Sequence, residues 1–136
     1  MKLNTYLNFN GNCQEAISFY HKILGGEIAI MMTHRDSPAA EHTAPEWQDK
    51  IMHARLVIGD NVLMASDAPP QYAETAGGFS VSVVVDSIDE GKRIFDGLSE
   101  GATITMPFDK TFWAAGFGML RDQFGIPWMV NCELSV

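Results

Sequence analysis

Residues Thr111 to Glu133 read TFWAAGFGMLRDQFGIPWMVNCE. This stretch holds two of the chain's three tryptophans, together with three phenylalanines, three glycines and a proline. Asp122-Gln-Phe-Gly125 ahead of Ile-Pro-Trp-Met-Val has the composition of a turn between strands. Gly116, Gly118 and Gly125 point to special backbone geometry or close approach. A strand, a turn and a strand are expected, with aromatics that either fill a core or line a pocket.

Working back from this hairpin, Ala102 to Met106 reads as a further strand, and Phe79 to Asp86 (FSVSVVVD) as another. Between them Ser87 and Glu90 form a capping box opening a helix whose Ile88, Ile94, Phe95 and Leu98 share one face. Gly101 ends it. The N-terminal half repeats the pattern. Leu3 to Phe9 is a strand, Asn12 with Glu15 opens a helix, and Ala16, Phe19, Tyr20, Ile23 and Leu24 line its apolar side. Glu27 to Thr33, Ile51 to Ile58 and Val62 to Ser66 are strands, the last two joined by a turn at Gly59-Asp60-Asn61. Both halves are β-α-β-β-β.

The halves register residue by residue. An offset of 75 carries Thr5 to Ser80, Tyr20 to Phe95, Gly26 to Gly101 and Met31 to Met106. After a longer loop an offset of 66 carries Arg55 to Arg121, Gly59 to Gly125 and Asp67 to Glu133. This reads as a structural duplication. The expected fold is α+β, two tandem βαβββ modules in a single domain over residues 1–136. Module one runs about 3–67, a Pro- and Gly-rich linker 68–78, and module two about 79–133. His34 to Lys50 stands outside the repeat as a polar loop with Trp47 in it, the kind of insertion that forms a lid or a disordered segment.

The formal charge of -8 and pI near 4.7 leave no basic stripe for phosphates, so no nucleic-acid partner is expected. No apolar run approaches the roughly 18 residues of a bilayer span, and the N-terminus lacks a signal-like apolar core. A cytoplasmic protein without membrane association is expected. Cys13 and Cys132 have no CxxC spacing and read as reduced, buried thiols.

The segments YLNFNGNCQEAISFY, IMHARLVIGDNVLMASDAPP, SIDEGKRIFDGL and TFWAAGFGMLRDQFGIPWMVN resemble the PhnB-like branch of the vicinal oxygen chelate superfamily, which includes glyoxalase I, extradiol dioxygenases and bleomycin resistance proteins. The resemblance spans about Leu3 to Asn131. It implies a glyoxalase-like cup built from the two modules and completed in a homodimer. Catalytic relatives hold a divalent metal by one ligand from the first and last strand of each module. Carried over by the repeat, those positions are Thr5, Leu63, Ser80 and Met129, which supply no ligand set of the kind zinc or harder ions need. No metal or other cofactor is therefore expected. Methyl transfer from S-adenosylmethionine is not supported either, because no Gly-rich βαβ site is present.

Alternation from Ile51 puts His53 and Arg55 on one face of their strand, aimed at an anionic or carbonyl group if that face lines the cup, and at solvent or nearby acids if not. Trp113, Phe117 and Trp128, with Phe112, Phe9 and Tyr6, are candidates for an aromatic wall. The expected ligand-binding cup comprises His53, Arg55, Trp113, Phe117, Trp128, Met129, Thr5 and Ser80. Three readings follow. The first is a protein that binds a small, partly apolar organic molecule without metal. The second is a lyase- or dioxygenase-type enzyme using displaced metal ligands, with His53 and Glu133 as its catalytic candidates and Asp67 nearby. The third is a dimeric interaction module with no ligand.

Overall fold

A computed structural model describes residues 1–134. The chain forms two compact units, Met1–Glu74 and Thr75–Val136. Their boundary falls inside the expected linker, part of which is a single 3-10 turn, Pro70–Tyr72.

In the first unit β1 (Thr5–Phe9), α1 (Cys13–Leu24), β2 (Glu27–Thr33), β3 (Ile51–Ile58) and β4 (Asn61–Asp67) build a four-stranded sheet in the order β1-β4-β3-β2. β1 runs parallel to β4, and the other pairs are antiparallel. α1 buries Cys13, Ala16, Ile17, Tyr20 and Ile23 on one side of the sheet. Leu7, Phe9, Ala54, Leu56, Leu63 and Ala65 meet it there, all nearly or fully excluded from water. Because strand side chains alternate, Tyr6, Arg55 and Met64 project from the opposite face, which no helix of the unit covers.

The second unit repeats this plan with β5 (Val81–Val85), α2 (Ile88–Leu98), β6 (Thr103–Asp109), β7 (Ala114–Arg121) and β8 (Pro127–Glu133), ordered β5-β8-β7-β6. Gly91, Ile94, Phe95 and Leu98 of α2 are buried. Ile88 is instead about half exposed, at the helix start rather than under it. The glycines of the quoted stretch divide by role. Gly116 and Gly118 lie where an added Cβ would stand 2.5 Å from the Phe108 ring and 2.7 Å from the Phe95 ring respectively. They let aromatic rings pack against the backbone of β7. Gly125 has a φ of 88° and serves the turn.

The two helices begin by different means. Ser87 Oγ accepts the N–H of Glu90 at 3.1 Å, as a cap should, while the Glu90 carboxylate turns forward to Arg93 rather than back to Ser87. Asn12 makes no side-chain cap at α1. Asp67, buried at the far end of β4, does so: its Oδ1 accepts from Gly11 N at 2.8 Å and Cys13 N at 2.9 Å, and its Oδ2 from Ile51 N at 2.9 Å. One carboxylate thus ties the start of α1, β3 and β4 together, where the positive end of the helix dipole also favours it.

The His34 to Lys50 loop is ordered by its own hydrogen bonds. It contains two 3-10 turns, Pro38–His42 and Pro45–Trp47, and Gln48 Nε2 donates to the carbonyls of Ala40 and Thr43. Lys50 Nζ reaches the carbonyl of Gly11 at 2.9 Å.

Candidate functional site

The candidate surfaces are the two sheet faces left uncovered by the helices. On the first unit, β3 is flanked by β2 and β4, with Arg55 opposite Ile30 and Met64. His53 and Arg55 share this face, but Ile51 does not share it by simple alternation. A register shift between Met32 and Thr33 interrupts the pattern, and Ile51 is buried with its N–H on Asp67. Tyr6 joins them from β1: its ring stacks on His53 with centroids 5.9 Å apart, and Tyr6 Oη stands 3.4 Å from His53 Nδ1. Arg55 Nη2 has the Met64 sulfur at 3.6 Å, and Arg55 Nε is shielded from water with no acceptor.

On the second unit the uncovered face holds Phe117, Met119, Met129 and Asn131, paired as Phe117 with Asn131 and Met119 with Met129. Trp113, close to half exposed, meets Phe117 edge-on at 5.5 Å, and Phe112 meets Trp113 at 4.8 Å. Asn131 Oδ1 is buried without a partner. The face is apolar and aromatic with one amide in it.

Several residues expected in the cup lie elsewhere. Trp128 is 1% exposed on the helix-covered face, and its Nε1 donates to Asp122 Oδ2 at 2.8 Å. Phe9 is buried opposite Asp67. Thr5 is in register with Leu63, which is buried against the helix side, and Ser80 precedes β5. The uncovered-face positions of the first and last strands are instead Tyr6 opposite Met64 and Ser82 opposite Met129. Met129 is where the repeat put it, and the offset fell on Leu63 rather than Met64 because the turns before β4 and β8 differ in length. Gly59-Asp60 joins Ile58 to Asn61, whereas Asp122 to Ile126 joins Arg121 to Pro127. A one-residue change in register reverses every side chain.

The residues of the displaced-ligand reading are placed as follows in the fold. Asp67 is occupied by three backbone N–H groups on the helix side of the sheet, and Glu133 is exposed at the end of β8. Among the described residues no three His, Cys, Asp or Glu side chains cluster as metal ligands. Tyr6, Met64, Ser82 and Met129 do not form a ligand set for the divalent metal of catalytic relatives. A shallow depression of about 380 Å³ lies at the start of α1, lined by Gly11, Asn12, Glu15, Lys50 and Asp67. Of its charged groups Asp67 and Lys50 are engaged by backbone groups and Asp49 by Arg35, and Glu15 also lines it.

Two four-stranded sheets, each wrapped as βαβββ, define the glyoxalase-like fold. The chain belongs to the Glyoxalase/Bleomycin resistance protein/Dioxygenase superfamily, which it matches over residues 2–130. It is 37% identical to Protein YjdN of Escherichia coli (strain K12), over 96% of this chain and 95% of that protein. Among solved structures it resembles protein PA1353 from Pseudomonas aeruginosa, at 51% identity and TM-score 0.91 over 99% of each chain. The PhnB protein from Bacillus cereus shares the fold at 23% identity and TM-score 0.79, over 97% of this chain and 99% of that one. Among the described residues no helix is long and apolar enough to cross a membrane.

Proposed function

We propose that this protein binds a small, partly apolar organic molecule against its uncovered sheet faces, without a metal, and works as a homodimer. The observation that carries the reading is the composition of those faces. At the uncovered-face positions of the first and last strands the first unit has Tyr6 and Met64, with the oriented polar groups His53 and Arg55, and the second unit has Ser82 and Met129, with the exposed Trp113 against the half-buried Phe117. Apolar surface with a few placed polar groups is what small-molecule sites are made of. The homodimer is supported by apolar exposure on the uncovered face of the second sheet, where Val84 of β5 is 58% and Met106 of β6 37% exposed.

Metal analysis of protein purified without a His-tag tests the core of the proposal, with a thermal-shift screen of neutral aromatic compounds beside it. Substoichiometric metal and saturable stabilisation by at least one compound are expected, the stabilisation being lost in Trp113→Ala. Stoichiometric zinc, nickel, manganese or iron that disappears in His53→Ala would defeat it in favour of metal-dependent chemistry. Sedimentation of a 15.0 kDa monomer at micromolar concentration would remove the homodimer.

A further inference from the structure

We infer that the uncovered face of the first unit carries a carboxylate subsite centred on Arg55, so that the ligand is an organic acid with an apolar body. The inference rests on the small-molecule reading above and names the chemistry that reading leaves open.

The starting point is an imbalance of charge. The chain has 17 Asp and Glu against 9 Lys and Arg, so carboxylates are abundant. Arg35 pairs with Asp49, Lys92 with Asp96 and Arg93 with Glu90, while Arg121 donates to the carbonyls of Ala76 and Gly125. These groups are on the exposed surface, where such pairs contribute little. Arg55 is part-buried in the interior of a sheet, where an ion partner matters most, and among the described residues it has no carboxylate. Its Nη2 has only a thioether, a weak acceptor, and its Nε has nothing.

Geometry gives this unmatched cation a recognisable shape. Nε and Nη2 lie on the same edge of the guanidinium, the edge that accepts the two oxygens of a carboxylate side by side. The Met64 sulfur stands 3.6 Å from Nη2. Methionine is unbranched and flexible, so it can swing away as a carboxylate takes its place and opens the Nε side. Tyr6, 43% exposed, and His53 share that face with Arg55 as a stacked, mutually oriented pair. Their polar atoms offer a further hydrogen bond to the anion. Ile30 and Met64 lie on either side of Arg55, and they favour an apolar body over a bare inorganic ion.

The test titrates 15N-labelled protein with benzoate and with benzamide, its neutral counterpart of the same shape, following the Arg55 Nε–H resonance. Benzoate should bind saturably and move that resonance, with an affinity about ten-fold or more above that of benzamide, the scale of one charge-assisted pair. Arg55→Met should abolish the preference for benzoate over benzamide, and Arg35→Met should leave it unchanged. If benzamide binds as well as benzoate and the Nε–H resonance of the unmutated protein stays still, the carboxylate subsite is wrong while small-molecule binding survives. If neither compound binds, and neutral aromatics in the thermal-shift screen also fail, the binding reading falls with it. Benzoate failing while neutral aromatics bind overturns the subsite alone. The resonance is read on unmutated protein, so a folding defect in Arg55→Met does not decide the outcome.

Discussion

The two units share a chain path and differ in almost everything laid on it. The first leaves Tyr6, His53 and Arg55 on its uncovered face, and the second Phe117, Met119 and Met129. The first helix is pinned by a carboxylate more than fifty residues away in the chain, the second by the serine that precedes it. At the equivalent first helical position the first unit buries Cys13 and the second exposes Ile88. The repeated βαβββ frame therefore constrains the helix-covered core and leaves the helix entrance and the outer face to differ.

Trp113, just ahead of β7, and Trp128 of β8 sharpen the contrast most. Trp128→Ala should destabilise the protein by about 3–5 kcal/mol, because a fully buried indole is removed and Asp122 loses a donor. Trp113→Ala should cost below about 1 kcal/mol, since that ring is close to half exposed. Urea unfolding of the two variants measures both. Equal costs would mean that the covered and uncovered faces are not energetically distinct.

The helix entrances come next. Asp67→Ala strips the acceptor from three backbone N–H groups and should cost about 3 kcal/mol or more. Ser87→Ala removes one local cap and should cost about 1 kcal/mol. Hydrogen exchange should show α1 losing protection in the first variant and only the opening turn of α2 in the second. A Ser87 variant as damaging as the Asp67 variant would erase the distinction between remote and local capping.

The smallest effect near neutrality is at Cys13. Burial, and then the neighbouring Asp67 carboxylate, push its thiol from 9.0 up to about 12. The neutral thiol is the folded form, so this contribution to stability is complete below pH 9.0 and is lost as pH rises towards about 12. Native protein should resist thiol alkylation at Cys13 at pH 8, and Cys13→Ala should flatten the alkaline fall of stability. An unchanged alkaline slope in that variant would remove the assignment.

The elements were legible because their signals are local. Alternation marked the strands to within about three residues, the largest miss being the end of β6 at Asp109 rather than Met106, and Ser87 and the glycines after each helix marked helix ends. The face of each strand was less legible. A register shift beside His53 and unequal turns before β4 and β8 change side-chain direction without changing which residues look like strands. Counting from Gly59 and Gly125 thus aligned Leu63 with Met129, although Leu63 is buried and its structural counterpart on the covered face is Trp128.

By itself the sequence determined the β-α-β-β-β order twice over, since periodicity, caps and turn residues act over a few neighbours. Only the tertiary structure decided that Asp67 caps a helix, that Trp128 belongs to the core, and that Arg55 stands part-buried without a carboxylate. Each depends on which groups meet across distant strands, and pairing register sets that.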